Sequence, residues 1–183
     1  MSLTKTPICN FGEPIKDFSL LCTDNKTTTL QDIKGPKGTL VMFICNHCPY
    51  VQVIMKEAAE IASSIKKLGI HSVAIMSNDV ENHPEDSFDN MKLFSKQYNF
   101  SFPYLIDETQ QVAKDFGAVC TPDFFGYNQD GQLQYRGRLR KLNHLTPVMN
   151  EPSELLSAMI LIAQDGKGPK EQLASMGCNI KWK

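Results

Sequence analysis

Neither sign of charge is in excess: 19 Lys and Arg face 20 Asp and Glu over 183 residues, for a formal net charge of −1 at pH 7. Proteins that bind nucleic acid gain much of their affinity from a basic surplus, so no nucleic-acid partner is expected. Long apolar runs are also missing. None approaches the roughly 18 residues that a membrane-spanning helix needs, so no membrane partner is expected. The opening Met1-Ser2-Leu3-Thr4-Lys5-Thr6-Pro7 lacks the apolar stretch and small-residue cleavage site of a signal peptide. The expected localisation is cytoplasmic, unless a targeting segment has been removed. Cysteine is scarce and unevenly spaced, with six residues at 9, 22, 45, 48, 120 and 178, too few for a disulfide-stapled miniprotein. Internal repeats, low-complexity tracts and long linkers are absent.

What remains is an ordinary globular composition, 42% hydrophobic and 21% charged. The length suits one domain over residues 1–183, with a core of about 8–164 and a tail of 165–183. Residues 1–16 carry Pro7, Gly12 and Pro14 and read as an irregular lead-in. Alternating, Thr-rich runs at 17–21 and 26–30 flank Asp24-Asn25 and predict a β-hairpin. Gly35-Pro36-Lys37-Gly38 is a turn, and the continuous apolar run 39–44 reads as a strand covered on both faces.

Val51, Ile54, Met55, Ala58, Ile61, Ala62, Ile65 and Leu68 recur at helical spacing, which predicts one amphipathic helix ended by Gly69. A second buried strand is expected at 70–76, a helix at 87–98, a strand at 102–106 and a helix at 109–116 ended by Gly117. Strands at 123–127 and 133–137 are joined through Gln129-Asp130-Gly131, a hairpin signal. Glu151-Pro152-Ser153-Glu154 starts a last helix, and a polar tail follows. This order predicts an α/β layer structure around a mixed sheet, its parallel part first and its antiparallel hairpin last.

The one close cysteine pair lies in Cys45-Asn46-His47-Cys48-Pro49. Cysteine attacks disulfides or peroxides as the thiolate, and an ordinary thiol titrates near about 8.5. Cys45 falls between a buried strand and the start of a helix, where unpaired N–H groups and the macrodipole favour an anion. That preference is worth about 0.3–1 kcal/mol when exposed and about 2 kcal/mol when partly buried. Pro49 suits the first helical position. Cysteines three apart are neighbours on a helical turn, so one can attack while the other resolves the mixed disulfide. As an imidazolium, His47 would stabilise a Cys45 thiolate further; as an exposed helix-start residue it would do nothing.

Three readings of the pair stand side by side. A redox dithiol fits the strand–CxxC–helix context and needs no metal and no cofactor beyond its own Cys45–Cys48 disulfide. Its partners would be a protein or small-thiol disulfide and an external reductant. A metal site could draw on Cys45, His47 and Cys48, although zinc usually takes four ligands and the further candidates, Cys120 and Cys178, are lone residues. An inert pair is the third reading. Far along the chain, Cys120-Thr121-Pro122 precedes a strand. X–Pro is the one bond with an accessible cis form, and a cis Thr121-Pro122 would present a backbone edge for a substrate chain.

Taken together, residues 39–44, Cys45-Asn46-His47-Cys48-Pro49, Thr121-Pro122-Asp123-Phe124-Phe125 and the Asp130-Gly131 hairpin resemble the thioredoxin-like proteins of the AhpC/TSA and TlpA/ResA group. The N-terminal hairpin and the insertion around 78–98 fit that group better than minimal thioredoxin. The resemblance covers about residues 8–164. It implies a thioredoxin-like fold, Cys45 as the attacking and Cys48 as the resolving thiol, and a cis Pro122 facing them. His47 takes the place of the histidine in the CPHC and CGHC motifs of oxidising disulfide catalysts.

Three departures qualify the resemblance. Thioredoxin's buried acid falls at Thr39, so that proton acceptor is missing, and Asp79 is the nearest match to the acid that ResA-like proteins use instead. Its competing role is a loop or capping aspartate. The peroxiredoxin Pro-x-x-x-Thr-x-x-Cys signature, aligned on Val41 to Cys48, lacks both Pro and Thr, which counts against efficient peroxidase chemistry. Cys120 stands where thioredoxins carry an aliphatic residue, as a third redox partner or a small buried hydrophobe.

Cys178 lies in a tail that ends in the only tryptophan, Trp182, and that tail is expected to pack back on the domain. A resolving role for Cys178 is an open alternative. Arg136, Arg138, Arg140 and Lys141 form a basic run expected to be mostly solvated. His71, His83 and His144 read as structural or surface residues, and Cys9 and Cys22 have no partner signal. The leading expectation is a thiol–disulfide oxidoreductase; a thiol peroxidase and a Cys/His metal-binding module are the alternatives. Oligomeric state is left open.

Overall fold

The computed structural model describes residues 3–183. Its strands and helices follow in the order β1 (Leu3–Lys5), β2 (Ser19–Cys22), β3 (Thr27–Thr29), α1 (Leu30–Ile33), β4 (Gly38–Phe43), α2 (Pro49–Gln52), α3 (Met55–Lys66) and β5 (Ile70–Met76). A 3-10 turn at Pro84–Asp86 leads to α4 (Phe88–Gln97), β6 (Tyr104–Ile106), α5 (Gln111–Phe116) and β7 (Cys120–Thr121). Then come β8 (Asp123–Asn128), β9 (Leu133–Gly137), β10 (Leu142–Asn143), β11 (Thr146–Pro147), α6 (Glu154–Asp165) and β12 (Met176–Asn179). Among the described residues no helix is long and apolar enough to cross a membrane.

Seven strands form a mixed sheet in the order β3-β2-β6-β5-β4-β8-β9. β4, β5 and β6 run parallel, β8 adds antiparallel to β4, and β9 adds antiparallel to β8. The continuous apolar run of β4 has a direct cause. Successive side chains point to opposite faces. Leu40, Met42 and Ile44 join a core with α3, α4 and α6, while Val41 and Phe43 join a second core with α1 and α5. Both faces are therefore dry, as expected for a central strand. This is the mixed-sheet α/β architecture that the order of elements predicts and the thioredoxin-like fold that the resemblance implies.

The predicted helix over 51–68 is two helices. Ile54 N–H donates to the Val51 carbonyl at 3.1 Å, a three-residue turn, whereas Val53 N–H still donates to Pro49. Val51, Val53 and Ile54 are β-branched and lose rotamer freedom in a regular helix, which makes this the weak point. From Met55 the pattern holds: Met55, Ala58, Ala59, Ile61, Ala62 and Ile65 are buried along one face of α3.

Two expectations at the chain ends need correction. The lead-in contains β1, and the tail contains β12, which lies between β1 and β7 in a second, three-stranded sheet. The tail does pack back, mainly through Cys178 and Ile180, at 4% and 1% exposure, while Trp182 stays 42% exposed with Lys114 over its ring at 5.6 Å. In the basic run only Lys141 is solvated, and the three arginines are paired. Arg136 is buried and pairs with Asp123 at 2.8 Å, Arg138 pairs with Glu154 at 2.6 Å, and Arg140 pairs with Glu57 at 2.6 Å. A buried guanidinium requires an anionic partner, and each of these comes from another element.

Candidate functional site

β4 ends at Phe43, and the Ile44 N–H still donates to the Ile75 carbonyl at 3.1 Å, so the chain leaves the sheet at Cys45. Cys48 is the N-cap of α2 and Pro49 its first residue. The Cys48 carbonyl accepts from the Val51 and Gln52 N–H groups, both at 3.0 Å. The sulfurs are buried, with Cys45 1% and Cys48 0% exposed. All of the cysteines are among the described residues, and none is joined in a disulfide.

The Thr121–Pro122 bond is cis. Thr121 meets both sulfurs, with its hydroxyl 3.3 Å from Cys45 Sγ and its carbonyl accepting from the Cys48 thiol at 3.2 Å. The backbone edge beside it, expected to be open to a substrate chain, is occupied. β12 pairs antiparallel with β7 there and sets Cys178 opposite Thr121. Gly177 permits this approach, because a Cβ on it would lie 2.0 Å from the Thr121 carbonyl oxygen. Cys178 donates both its thiol and its backbone N–H to the Cys48 sulfur.

These contacts divide the charge unevenly. The Cys48 thiol is held down from 9.0 to about 5, first by the hydrogen bond from Cys45, with further donation from Cys178 and the Val51 N–H outweighing burial. Cys45 is pushed well above the ordinary thiol range, first because its thiol is held as a hydrogen-bond donor toward Cys48, then because it is buried and the Asp86 charge is near. Cys178 rises to about 12, through burial and then its donation to Cys48. Of the two thiols, Cys48 is thus the one whose ionisation is favoured, at the helix N-terminus that suits an anion.

Asp86, which the sequence did not single out, anchors the loop between the cysteines. Its Oδ1 accepts from the Asn46 N–H at 2.8 Å and the His47 N–H at 3.3 Å. Its Oδ2 contacts His47 Nδ1 at 2.7 Å and accepts from Asn78 Nδ2 at 2.8 Å. Burial works to raise the Asp86 carboxyl, but the bonds from His47 and Asn78 outweigh it and leave it lowered. His47 is raised, chiefly by that same bond. Its charge is therefore answered by Asp86, and Asp86 itself disfavours a Cys45 thiolate. His83 is not an isolated surface residue: its ring stacks on His47 at 5.4 Å.

The remaining expected residues fall into place around this centre. Asp79 accepts from the Glu81 N–H at 3.0 Å and from Asn82, the turn-closing role that competed with a proton relay. Cys120 is wholly buried, 3.9 Å from the Pro122 carbonyl, and burial pushes its thiol above the usual range. Thr39 is buried in β4 and accepts from the Gly35 N–H at 3.4 Å. The Cys45 sulfur, a His47 nitrogen and an Asp86 oxygen lie within 4.8 Å of one another. The carboxylate is already occupied by four hydrogen-bond partners, which leaves it poorly suited to ligate a metal. Beside Pro122 opens a cavity of about 300 Å³, lined by Tyr50, Ile54, Leu139, Leu173 and Met176 among others.

The chain resembles known proteins at several levels. A crystal structure of an uncharacterized conserved protein from Geobacillus kaustophilus is 38% identical, with a TM-score of 0.92, covering 100% of this chain and 97% of that one. The thiol-disulfide oxidoreductase ResA of Bacillus thuringiensis subsp. konkukian is 25% identical over 130 residues, 71% of this chain and 70% of ResA. The chloroplastic peroxiredoxin Q of Populus jackii is 28% identical over 120 residues, 64% of this chain and 50% of that protein. The AhpC/TSA family matches residues 11–136, spanning the cysteine pair, the Asp86 anchor and the cis proline, and with the thioredoxin-like sheet around them the chain belongs to that family.

Proposed function

We propose that the chain is a thiol–disulfide oxidoreductase in which Cys45 and Cys48 alternate between dithiol and disulfide. The observation that carries this reading is the convergence of the Cys45 and Cys48 sulfurs on Thr121, beside the cis Thr121–Pro122 bond and at a helix N-terminus. In the forward direction a thiolate of the pair attacks a substrate disulfide and releases one substrate thiol. The partner cysteine then attacks the mixed disulfide and releases the second. The protein disulfide that forms is reset by an external dithiol. The resemblance puts the first attack on Cys45, whereas the charge distribution favours Cys48, so we assign it to Cys48, with Cys45 resolving. Likeness to ResA supports the reaction class at family level.

The test is equilibration of the reduced chain with glutathione buffers, followed by thiol counting and peptide mapping. A Cys45–Cys48 disulfide with a defined potential supports the reading, and failure of any such disulfide to form overturns it. A value near about −270 mV indicates a reductant, and one near about −120 to −180 mV an oxidant or isomerase. A thiol peroxidase is the second reading, favoured by the burial of both sulfurs, since a peroxide is far smaller than a protein disulfide. There the Cys48 thiolate would take one peroxide oxygen as a sulfenic acid, and Cys45 would condense with it, releasing water. Peroxide consumption faster than disulfide reduction would favour it.

A further inference from the structure

Three sulfurs, and not two, converge on Thr121. Cys45 and Cys48 reach it from the β4–α2 junction, and Cys178 lies opposite it in the β7–β12 ladder. All three belong to one buried cluster. The strand that carries Cys178 occupies the edge on which a substrate chain would otherwise pair, and Gly177 lets it approach Thr121 more closely than any residue with a Cβ could. Cys178 thus stands toward Cys48 as the cysteine of a docked substrate would.

We propose that Cys178 is a third redox thiol, which exchanges with the Cys45–Cys48 disulfide to form a Cys48–Cys178 disulfide. The proposal rests on the oxidoreductase reading above. In this step the Cys178 thiolate attacks Cys48 Sγ, the Cys48–Cys178 bond forms and the Cys45–Cys48 bond breaks. Cys45 leaves as a thiolate and takes up the proton that Cys178 gave up. No net oxidation occurs, because the oxidising equivalents are those already taken from the substrate disulfide.

The electrostatics change in the required direction during the cycle. In the dithiol, the Cys48 charge and the bond to it are among the causes that hold the proton on Cys178. Once Cys48 is part of a disulfide that charge is gone, and only burial continues to oppose ionisation. The nucleophile is therefore released when its target appears. The attacked sulfur is already the hydrogen-bond partner of the attacking one, so no strand needs to move far.

The test uses the full chain and oxidised glutathione. Trypsin places Cys45 and Cys48 together in the peptide 38–56 and Cys178 in 171–181, so a link between these peptides reports the exchange. Cys45→Ser retains five cysteines and is expected to lose two thiols on oxidation, yielding the linked peptides. Cys45→Ser/Cys178→Ser is expected to keep glutathione on Cys48 as a stable mixed disulfide. In the unaltered chain, acid quenching during oxidation is expected to trap the same linked peptides, which keeps the test independent of how the variants fold. A lasting glutathione adduct on Cys48 of Cys45→Ser, with no linked peptides in either protein, overturns the proposal. If the unaltered chain still forms Cys45–Cys48, only the third thiol fails; if it forms no disulfide, the oxidoreductase reading fails with it.

Discussion

Replacing Cys48 by Ser should remove the most acidic thiol of this protein. A fall from 9.0 to about 5 is four pH units, and at about 1.36 kcal/mol per unit it represents about 5 kcal/mol of preference for the Cys48 anion. That preference comes from the thiol of Cys45, the thiol and N–H of Cys178 and the N–H of Val51 acting together against burial. The assay is the ultraviolet thiolate absorbance of the fully reduced chain as a function of pH, paired with the pH dependence of alkylation. The unaltered chain should show one thiolate forming near pH 5, absent from Cys48→Ser. Cys45→Ala, which removes the largest donor, should move it upward. Stability carries the same information. A thiol with a lowered folded pKa contributes stability that is full above about 9 and is lost as pH falls towards about 5. Within that window the unaltered chain should gain on Cys48→Ser by up to about 1.4 kcal/mol per pH unit as pH rises. A Cys48→Ser protein that keeps the acidic thiolate, or a Cys45→Ser protein that loses it, would refute the assignment of charge.

Asp86→Asn should lower the His47 titration, followed by NMR, and destabilise the fold by about 1–3 kcal/mol in urea, because an amide cannot accept at every contact the carboxylate serves. His47 is raised in the fold, so the part of the loss it causes is full below about pH 6.5 and fades as pH rises through its folded value. Gly177→Ala should push β12 off Thr121 at a cost of about 1–3 kcal/mol, seen as faster proteolysis of the tail and an upward move of the Cys48 titration. Asp123→Asn strands the buried Arg136 and should cost about 3–5 kcal/mol by chemical denaturation, whereas the double change Asp123→Leu/Arg136→Met should recover much of it.

The pattern of residues located the sheet well. β5 and β9 fall where the apolar runs place them, and the hairpin at Asp24-Asn25 pairs Leu21 with Thr27. The failures share a cause. The helix break at Val53 and Ile54 depends on how one turn tightens, which periodicity over a longer window averages away. The paired arginines look solvated because their acids, Asp123, Glu154 and Glu57, come from other elements. Asp79 and Asp86 are alike in sequence, both acids in a polar insertion, and only the path of the loop back to Asn46 and His47 separates them.

By itself, then, the sequence determined the cysteine pair, its strand-to-helix setting and the proline that opens the helix behind it. Those are local matters, fixed by residue spacing, apolar periodicity and the special backbone of proline. The tertiary structure decided which sulfur holds the charge, which acid governs the histidine, and what fills the edge beside Thr121. Each of these depends on hydrogen bonds between residues far apart in the chain, Cys48 with Cys178 and His47 with Asp86 above all. No local pattern encodes such bonds, because they form only when folding brings a tail strand and an insertion loop against the same helix end.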